Sequence, residues 1–312
     1  MTSKVFHPIG AICFLIMTMQ IGQVAAAEGG YSNYVPGTYG DFGMSLAPAE
    51  TWTLRNDTYY YGADIDKSFR SGNLQLDTDL NFLMNFTTVL YKTDMEFFGG
   101  QYASGIFIPL VHLEIDTDIS LAEMQHSESD SASGLGDIAL IPLALYWQES
   151  NFHWSLLQLI VAPTGDYDID NPINASLNYW SFDTNFALTY LNPETGKDLS
   201  FNIGYIYNTE NDETEYQTGQ ELHLDFALNQ FLSDSFAVGL QGFYLKQVTG
   251  DSGDGAYLGD FKAEAAGIGP ALMWSRSIGK QNITFIAKWL HEFHAENRVE
   301  GDHFFISFAM DW

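Results

Sequence analysis

Basic side chains are scarce in this sequence: twelve Lys and Arg stand against forty Asp and Glu, a formal charge of −28. A chain this acidic repels polyphosphate, which argues against nucleic acid as a partner. Cysteine is nearly absent too. The single Cys13 permits no intrachain disulfide and no cysteine-built zinc site. Long apolar runs are also missing, and past residue 27 nothing approaches the ~18 consecutive apolar residues of a transmembrane helix. Proline is sparse, nine residues beside 28 glycines, a balance that suits β-structure with tight turns. What is abundant is apolar: 46% of the residues are hydrophobic and 15% aromatic, far too many for a solvated acidic coil.

Residues 1–27 have the order of an export signal. Met1–Pro8 carries Lys4 and no acid, Ile9–Ile21 is apolar, and Ala25-Ala26-Ala27 ends it with small residues. About 13 apolar residues are too few to span a bilayer as a helix. Cys13 lies inside that stretch instead of following a cleavage point, which disfavours a lipoprotein anchor. Cleavage is expected near Ala27-Glu28. Residues 28–49 would then be an N-terminal periplasmic or lumenal plug segment, and 50–312 the folded unit.

Past the signal, side chains alternate with period two, the mark of strands with one oily and one wet face. In Tyr179–Leu191, Trp180, Phe182, Phe186, Leu188 and Tyr190 share one parity, and Ser181, Asp183, Asn185 and Thr189 the other. Leu199–Tyr207 and Gly219–Leu232 repeat the pattern. Connections alternate as well. Short turns at 192–197, 233–235 and 277–280 face longer polar loops at Thr117–Ser133, Pro163–Asn178, Asn208–Thr218, Gly250–Asp260 and His294–Gly301. One short-turned rim and one long-looped rim is the layout of an outer-membrane barrel. The expected fold is therefore all-β: a transmembrane antiparallel up-and-down barrel of about 12 strands in the bacterial outer membrane. Trp52, Tyr60, Trp147, Trp180, Tyr207, Trp274 and Trp289 fall near strand ends, where amphipathic rings form girdles.

The C-terminus fits that picture. Trp312 follows Met310, Phe308, Ile306 and Phe304 at spacing two, with Asp311, Ser307 and His303 on the opposite face. A terminal aromatic on an amphipathic strand resembles the signal that bacterial outer-membrane proteins present to their insertion machinery, a first expected partner. A soluble β-sandwich with an ordinary last strand shares the periodicity, but not the export signal, the loop asymmetry and the aromatic end together.

Several stretches resemble the outer-membrane family associated with the meta-pathway of phenol degradation. They are Gly134-Leu-Gly-Asp137, Ala162-Pro-Thr-Gly-Asp-Tyr167, Asn178-Tyr-Trp-Ser-Phe-Asp183, Tyr190-Leu-Asn-Pro-Glu-Thr-Gly196, Tyr216–Asp225, Gln247–Gly253 and Leu258–Lys262, with Tyr34-Val-Pro-Gly37 less specific. The resemblance implies a barrel that passes small hydrophobic or aromatic, phenol-like compounds. The expected function is thus an uptake channel. The alternatives are a structural or adhesive barrel with a sealed lumen and an outer-membrane hydrolase.

Parity nominates lumen-facing residues for the solute path: Asp77, Asp79, Asp183, Asn185, Asn202, Glu221, His223, Asp225, Phe243, Lys288 and Glu292. His223 or Asp225 would hold a phenolic hydroxyl while nearby rings take the aromatic body. The bland reading of the same polar set is a hydrogen-bonded network that fills the barrel. In the segment before the first strand, Tyr31, Tyr34, Tyr39 and Phe42 would narrow the path if it folds into the lumen. Glu221, His223 and Asp225 lie at spacing two, within reach of a metal, but such a ladder in a barrel wall is expected to be structural. Asp166-x-Asp168-x-Asp170 starts an EF-hand spacing that Pro172 and Leu177 then break. No cofactor is expected. Acidic loops bridged to lipopolysaccharide by divalent cations are an expected lipid contact. For catalysis, His126-Ser127 and His291-Glu-Phe-His294 are the nearest candidates and match no motif, so the chain is expected not to be an enzyme.

Overall fold

An amphipathic strand can leave both faces where they are if lipid lies on one side and a polar interior on the other. The computed structural model, which describes residue 27 and residues 31–69, 74–121, 124–257, 259–279 and 281–312, takes that solution. The expected export signal lies outside the described residues, Ala27 excepted.

Every strand pairs antiparallel with its neighbours. The elements are β1 (Trp52–Phe69), β2 (Leu74–Phe97), β3 (Gly100–Leu121), β4 (Met124–Leu135), β5 (Ile138–Glu149), β6 (Phe152–Ala162), β7 (Ser181–Asn192), β8 (Lys197–Asn208), β9 (Glu210–Asn211), β10 (Tyr216–Gln217), β11 (Glu221–Ser233), β12 (Phe236–Gln247), β13 (Glu264–Ile278), β14 (Gln281–Glu296) and β15 (Glu300–Asp311). The short β9 and β10 form a separate ribbon. The other strands form one sheet that closes where β1 meets β15, from Thr53↔Asp311 to Asp64↔Glu300. β4 and β5 share β3, one above the other, β4 on its Leu110–Leu121 half and β5 on its Gln101–Phe107 half. The thirteen-stranded sheet is therefore a closed barrel of twelve, as the sequence led one to expect. Closure leaves no backbone edge for hydrocarbon to face.

The outward parity forms an apolar belt. Phe182, Phe186, Leu199, Phe201, Ile203, Leu240, Leu272, Phe285 and Ile306 are all exposed, and in water a band of this kind would be untenable. Phe304, Ile306 and Trp312 of the last strand are exposed on it, with Phe308 and Met310 half-covered. Phe308 meets Phe285, and Phe304 meets Trp289, at ring distances of 5.2 and 6.4 Å. On the other face of β15, His303, Phe305 and Ser307 are buried in the interior.

Two sequence expectations are corrected. Thr117–Ser133 is not a loop: Thr117↔Glu128 and Asp118↔Ser127 pair in the β3–β4 hairpin, which carries the wall above the belt. Asp77 and Asp79 do not face the lumen. Leu80, Phe82 and Met84 are the inward set of β2, lining the interior cavity, and Asp77 and Asp79, of the opposite parity, are outward and exposed. Both errors have one cause. Above the membrane the outer face meets water, so polarity no longer distinguishes inside from outside.

The motifs Gly134–Asp137 and Ala162–Tyr167 interlock where β4 gives way to β5. The Asp137 carboxylate accepts from Thr164 N (3.0 Å), Gly165 N (3.0 Å), Ser176 Oγ (2.7 Å) and Leu177 N (2.9 Å). Asp166 returns the contact, its Oδ2 accepting from Leu135 N at 2.8 Å. A Cβ on Gly165 would come within 2.5 Å of the Leu135 carbonyl, so only glycine permits the approach. Asp137→Ala should leave four donors unmatched, those of Ser176 and Leu177 buried, and destabilise this loop base by roughly 2–4 kcal/mol. Limited proteolysis of the folded barrel should then cut within residues 163–180 far faster than in the unaltered protein. An unchanged cleavage rate would show that the carboxylate does not hold the loop.

Candidate functional site in the barrel lumen

The inward residues divide the lumen into two unlike walls. From β1 to β6 the inward set is mostly apolar, with Tyr59, Met84, Phe107, Val111 and Leu159 among its members. From β7 round to β14 it is mostly polar, and Asp183, Asn185, Asn202, Glu221, His223, Asp225, Lys288 and Glu292 are all buried there, with Phe243 among them.

Residues 31–48 lie between these walls and run the length of the barrel. Near the long-looped rim, Tyr31 donates to Asn174 O at 2.8 Å and packs on Phe82. Ala27 N, further out, donates to Asp251 Oδ2. Near the short-turned rim, Lys92 Nζ donates to Pro48 O at 2.6 Å, and Phe42 meets Phe231 edge-on at 6.3 Å.

The middle of the segment is held by the polar wall. Lys288 Nζ donates to the carbonyls of Gly37 (2.6 Å) and Gly40 (2.5 Å) while lying 4.4 Å above the Phe305 ring. A buried ammonium needs several acceptors to offset its lost hydration, and the backbone of the segment supplies them. Gly37 adopts φ +83° and abuts Leu290 Cδ1 so closely that no side chain fits. Gly43 N donates to Asp198 Oδ2 at 2.7 Å. Arg55 bridges Asp41 of the segment to Asp57 of β1, and Asp57 also accepts from Ser307.

His223 is the centre of the arrangement. Its Nε2 lies 3.1 Å from Asp183 Oδ1 and its Nδ1 3.5 Å from Asp225 Oδ2. Tyr34 donates to Asp225 Oδ2 at 3.0 Å and Tyr39 to Asp183 Oδ2 at 2.6 Å. Both rings lie nearly parallel to the imidazole, at centroid distances of 4.1 and 5.3 Å. Asn185 links Tyr39 to Asn202, with bonds of 3.2 and 2.9 Å. Gly204, paired opposite His223, leaves the space that the ring occupies.

A second buried cluster closes the upper lumen. Glu292 accepts from Tyr61 Oη at 2.9 Å, and His303 Nε2 and Arg298 lie 3.1 and 3.5 Å from its other oxygen. Burial pulls against the Arg298 charge, but Glu292 and Tyr61 outweigh it and raise the guanidinium above its usual range. Phe243 meets His303 edge-on at 5.1 Å.

Between the segment and the apolar wall is a cavity of about 160 Å³ that Tyr34, Tyr39 and Asp183 also line. An apolar cavity of about 150 Å³ is known to take up benzene, so this one has the volume of a single aromatic ring.

The structure thus brings nine of the eleven parity-nominated lumen residues into the interior and leaves out Asp77 and Asp79. Sequence reasoning did not single out Arg55, Asp41, Asp57, Asp198 or Arg298, nor the apolar wall. The apolar wall had a visible signal in Leu80, Phe82, Met84 and Phe86 at spacing two. The acids and arginines had none, because their partners lie far away in sequence. The catalytic candidates do not assemble. His126 and Ser127 are consecutive on a strand and so point to opposite faces. His291 and His294 have carboxylate neighbours, Asp302 and Glu264. Asp166 and Asp168 each accept from a backbone N–H group with one carboxylate oxygen, from Leu135 and Asp170. Among the described residues, Glu264, His294 and Glu296 bring one ligand atom each within 4.8 Å of the others at a rim, but Lys246 already pairs with Glu264 at 2.7 Å.

Comparison with known proteins agrees with this architecture. Residues 42–308 match the family described as "Putative MetA-pathway of phenol degradation". An outer membrane channel of Pseudomonas putida F1 is 16% identical with a TM-score of 0.59, over 86% of this chain and 98% of that one. A FadL homologue of Pseudomonas aeruginosa is 7% identical with a TM-score of 0.41, over 92% and 98%. The transport unit of the autotransporter AIDA-I from Escherichia coli is 9% identical with a TM-score of 0.42, over 89% and 94%. No curated protein matches the sequence.

Proposed function

The chain belongs to the phenol-degradation MetA-pathway family and has the fold of an outer-membrane channel, and from that premise we propose that it takes up small hydrophobic compounds, aromatic ones among them, across the outer membrane. The observation that carries this reading is the cavity of about 160 Å³ between the lumenal segment and the apolar wall. It offers an oily solute a ring-sized station inside a barrel whose other wall is polar and occupied. Division of a pocket into an apolar bed and a few fixed polar groups is the usual design for a small molecule. The same geometry supports a carrier role.

The remaining parts of the proposal concern assembly. Export would remove residues 1–27, the insertion machinery would read the Phe304–Trp312 strand, and lipopolysaccharide would surround the outer rim, joined to its acids by divalent cations.

The sealed-barrel reading has one observation in its favour, the dense hydrogen bonding of residues 31–48 to the polar wall. Cell uptake separates the two. Cells whose lipopolysaccharide leaflet slows oily solutes should take up labelled toluene and phenol several-fold faster with the protein than without it. Equal rates would favour the sealed barrel.

A further inference from the structure

A tyrosine side chain is chemically para-cresol tethered to a backbone. Two such groups end on the carboxylates flanking His223, Tyr34 on Asp225 and Tyr39 on Asp183. We propose that Tyr34 and Tyr39 are built-in ligands of a phenol-recognition site formed by Asp183, His223 and Asp225, and that a hydroxylated aromatic solute loosens the lumenal segment by taking their place. This deepens the uptake reading and rests on it.

Three observations carry the inference. First, the wall supplies both halves of phenol recognition. The carboxylates accept the hydroxyls, and the His223 ring stacks on the aromatic bodies, within 18° of parallel to Tyr34 and 10° of parallel to Tyr39. Charge-assisted bonds from a phenol to a carboxylate are the strong kind, and stacking adds to them. Second, the site has unused capacity. Asp225 Oδ1 is buried without a hydrogen-bond partner, and His223 Nδ1 reaches Asp225 Oδ2 only at 3.5 Å although both side chains are fully enclosed. Buried polar atoms left unmatched favour any ligand that can match them. Third, the site adjoins the ring-sized cavity, because Asp183, Tyr34 and Tyr39 line it. A solute resting there is one side chain away from the hydroxyl it would replace.

The exchange trades one phenol–carboxylate bond for another, so solute concentration decides which ligand is bound. A hydrocarbon such as toluene fits the cavity but cannot make the trade. The device therefore separates two events: any small ring enters, and only a phenol releases the segment.

The test is planar-bilayer conductance of the full mature protein, with para-cresol and toluene as probes. Para-cresol should raise conductance in a saturable manner, and toluene at the same concentration should leave it unchanged. Tyr34→Phe with Tyr39→Phe keeps the rings but removes the competing hydroxyls. It should lower the half-maximal para-cresol concentration by tenfold or more, since each lost hydrogen bond of ordinary strength is worth up to about tenfold. Asp183→Asn with Asp225→Asn should abolish the response. If either pair fails to show the heat-modifiable migration of a folded barrel, Tyr39→Phe and Asp183→Asn alone carry the same expectations. Equal responses to the two probes, or an unmoved midpoint in a folded Phe variant, would overturn the proposal. Toluene uptake by cells distinguishes the two levels. Uptake that persists without para-cresol selectivity defeats the tethered-ligand idea alone, and absence of uptake for both solutes defeats the channel reading and this inference with it.

Discussion

A chain that begins at residue 49, and so lacks the whole lumenal segment, should conduct roughly tenfold more than the full protein in a planar bilayer. The estimate comes from barrel size: eight strands leave room only for side chains, sixteen enclose an aqueous channel, and twelve lie between. At that diameter one extended segment is enough to decide whether water is continuous. Folding should survive the deletion, because the backbone ladder closed by β1 and β15 is independent of the segment. The groups it covers, among them Lys288, Asp183 and Asp225, would then meet water and lose their desolvation penalty. Lys288→Met should give a smaller rise, since it releases only the Gly37 and Gly40 carbonyls and leaves the bonds to Asp183, Asp198 and Asp225. Unchanged conductance after deletion would mean that the constriction is made by the wall itself.

The second large effect is expected on the lipid face. Ile306 is 66% exposed near the middle of β15, paired between Thr58 and Ala287. Ile306→Arg should destabilise the inserted barrel by about 2–4 kcal/mol, the cost of a basic side chain at the bilayer midplane. The adjacent Ser307 points inward, donating to Asp57 and accepting from Arg55, and Ser307→Ala should cost about 1.5–3 kcal/mol, the range for hydrogen bonds to charged groups. Urea titration in lipid vesicles, followed by heat-modifiable migration, reads both. No loss from Ile306→Arg, or none from Ser307→Ala, would contradict the assignment of Ile306 to lipid and Ser307 to the interior. Deleting Trp312 acts at the seam instead: its N–H and carbonyl exchange bonds with Trp52 at 3.0 and 3.1 Å, so the deletion removes the last closing pair and should slow assembly.

Much of this architecture is visible along the chain. In Trp180 to Tyr190, Leu199 to Tyr207 and Phe304 to Trp312 large apolar residues recur at spacing two, and in each stretch the structure puts that parity outside, with Ile206 and Phe305 as apolar members of the inward face. The rule works there because lipid outside and polar groups inside impose opposite demands on neighbouring residues. It fails at Asp77 and Asp79, where water replaces lipid, and in β2, where Phe82 and Met84 face an apolar part of the lumen. It fails at Thr117–Ser133 as well, because a strand with water on both sides has the composition of a loop.

By itself the sequence determined the fold class, the direction of most faces and the aromatic strand that ends the barrel, since each depends on a pattern local to one segment. The tertiary structure decided which groups meet in the interior. Tyr39 and Asp183 are 144 positions apart, Tyr34 and Asp225 are 191, and Lys288 reaches back 251 to Gly37. No periodicity encodes such pairs. They exist because closing the sheet brings β7, β11 and β14 around one enclosed space, and a buried charge in that space must find whatever partner the N-terminal segment can offer.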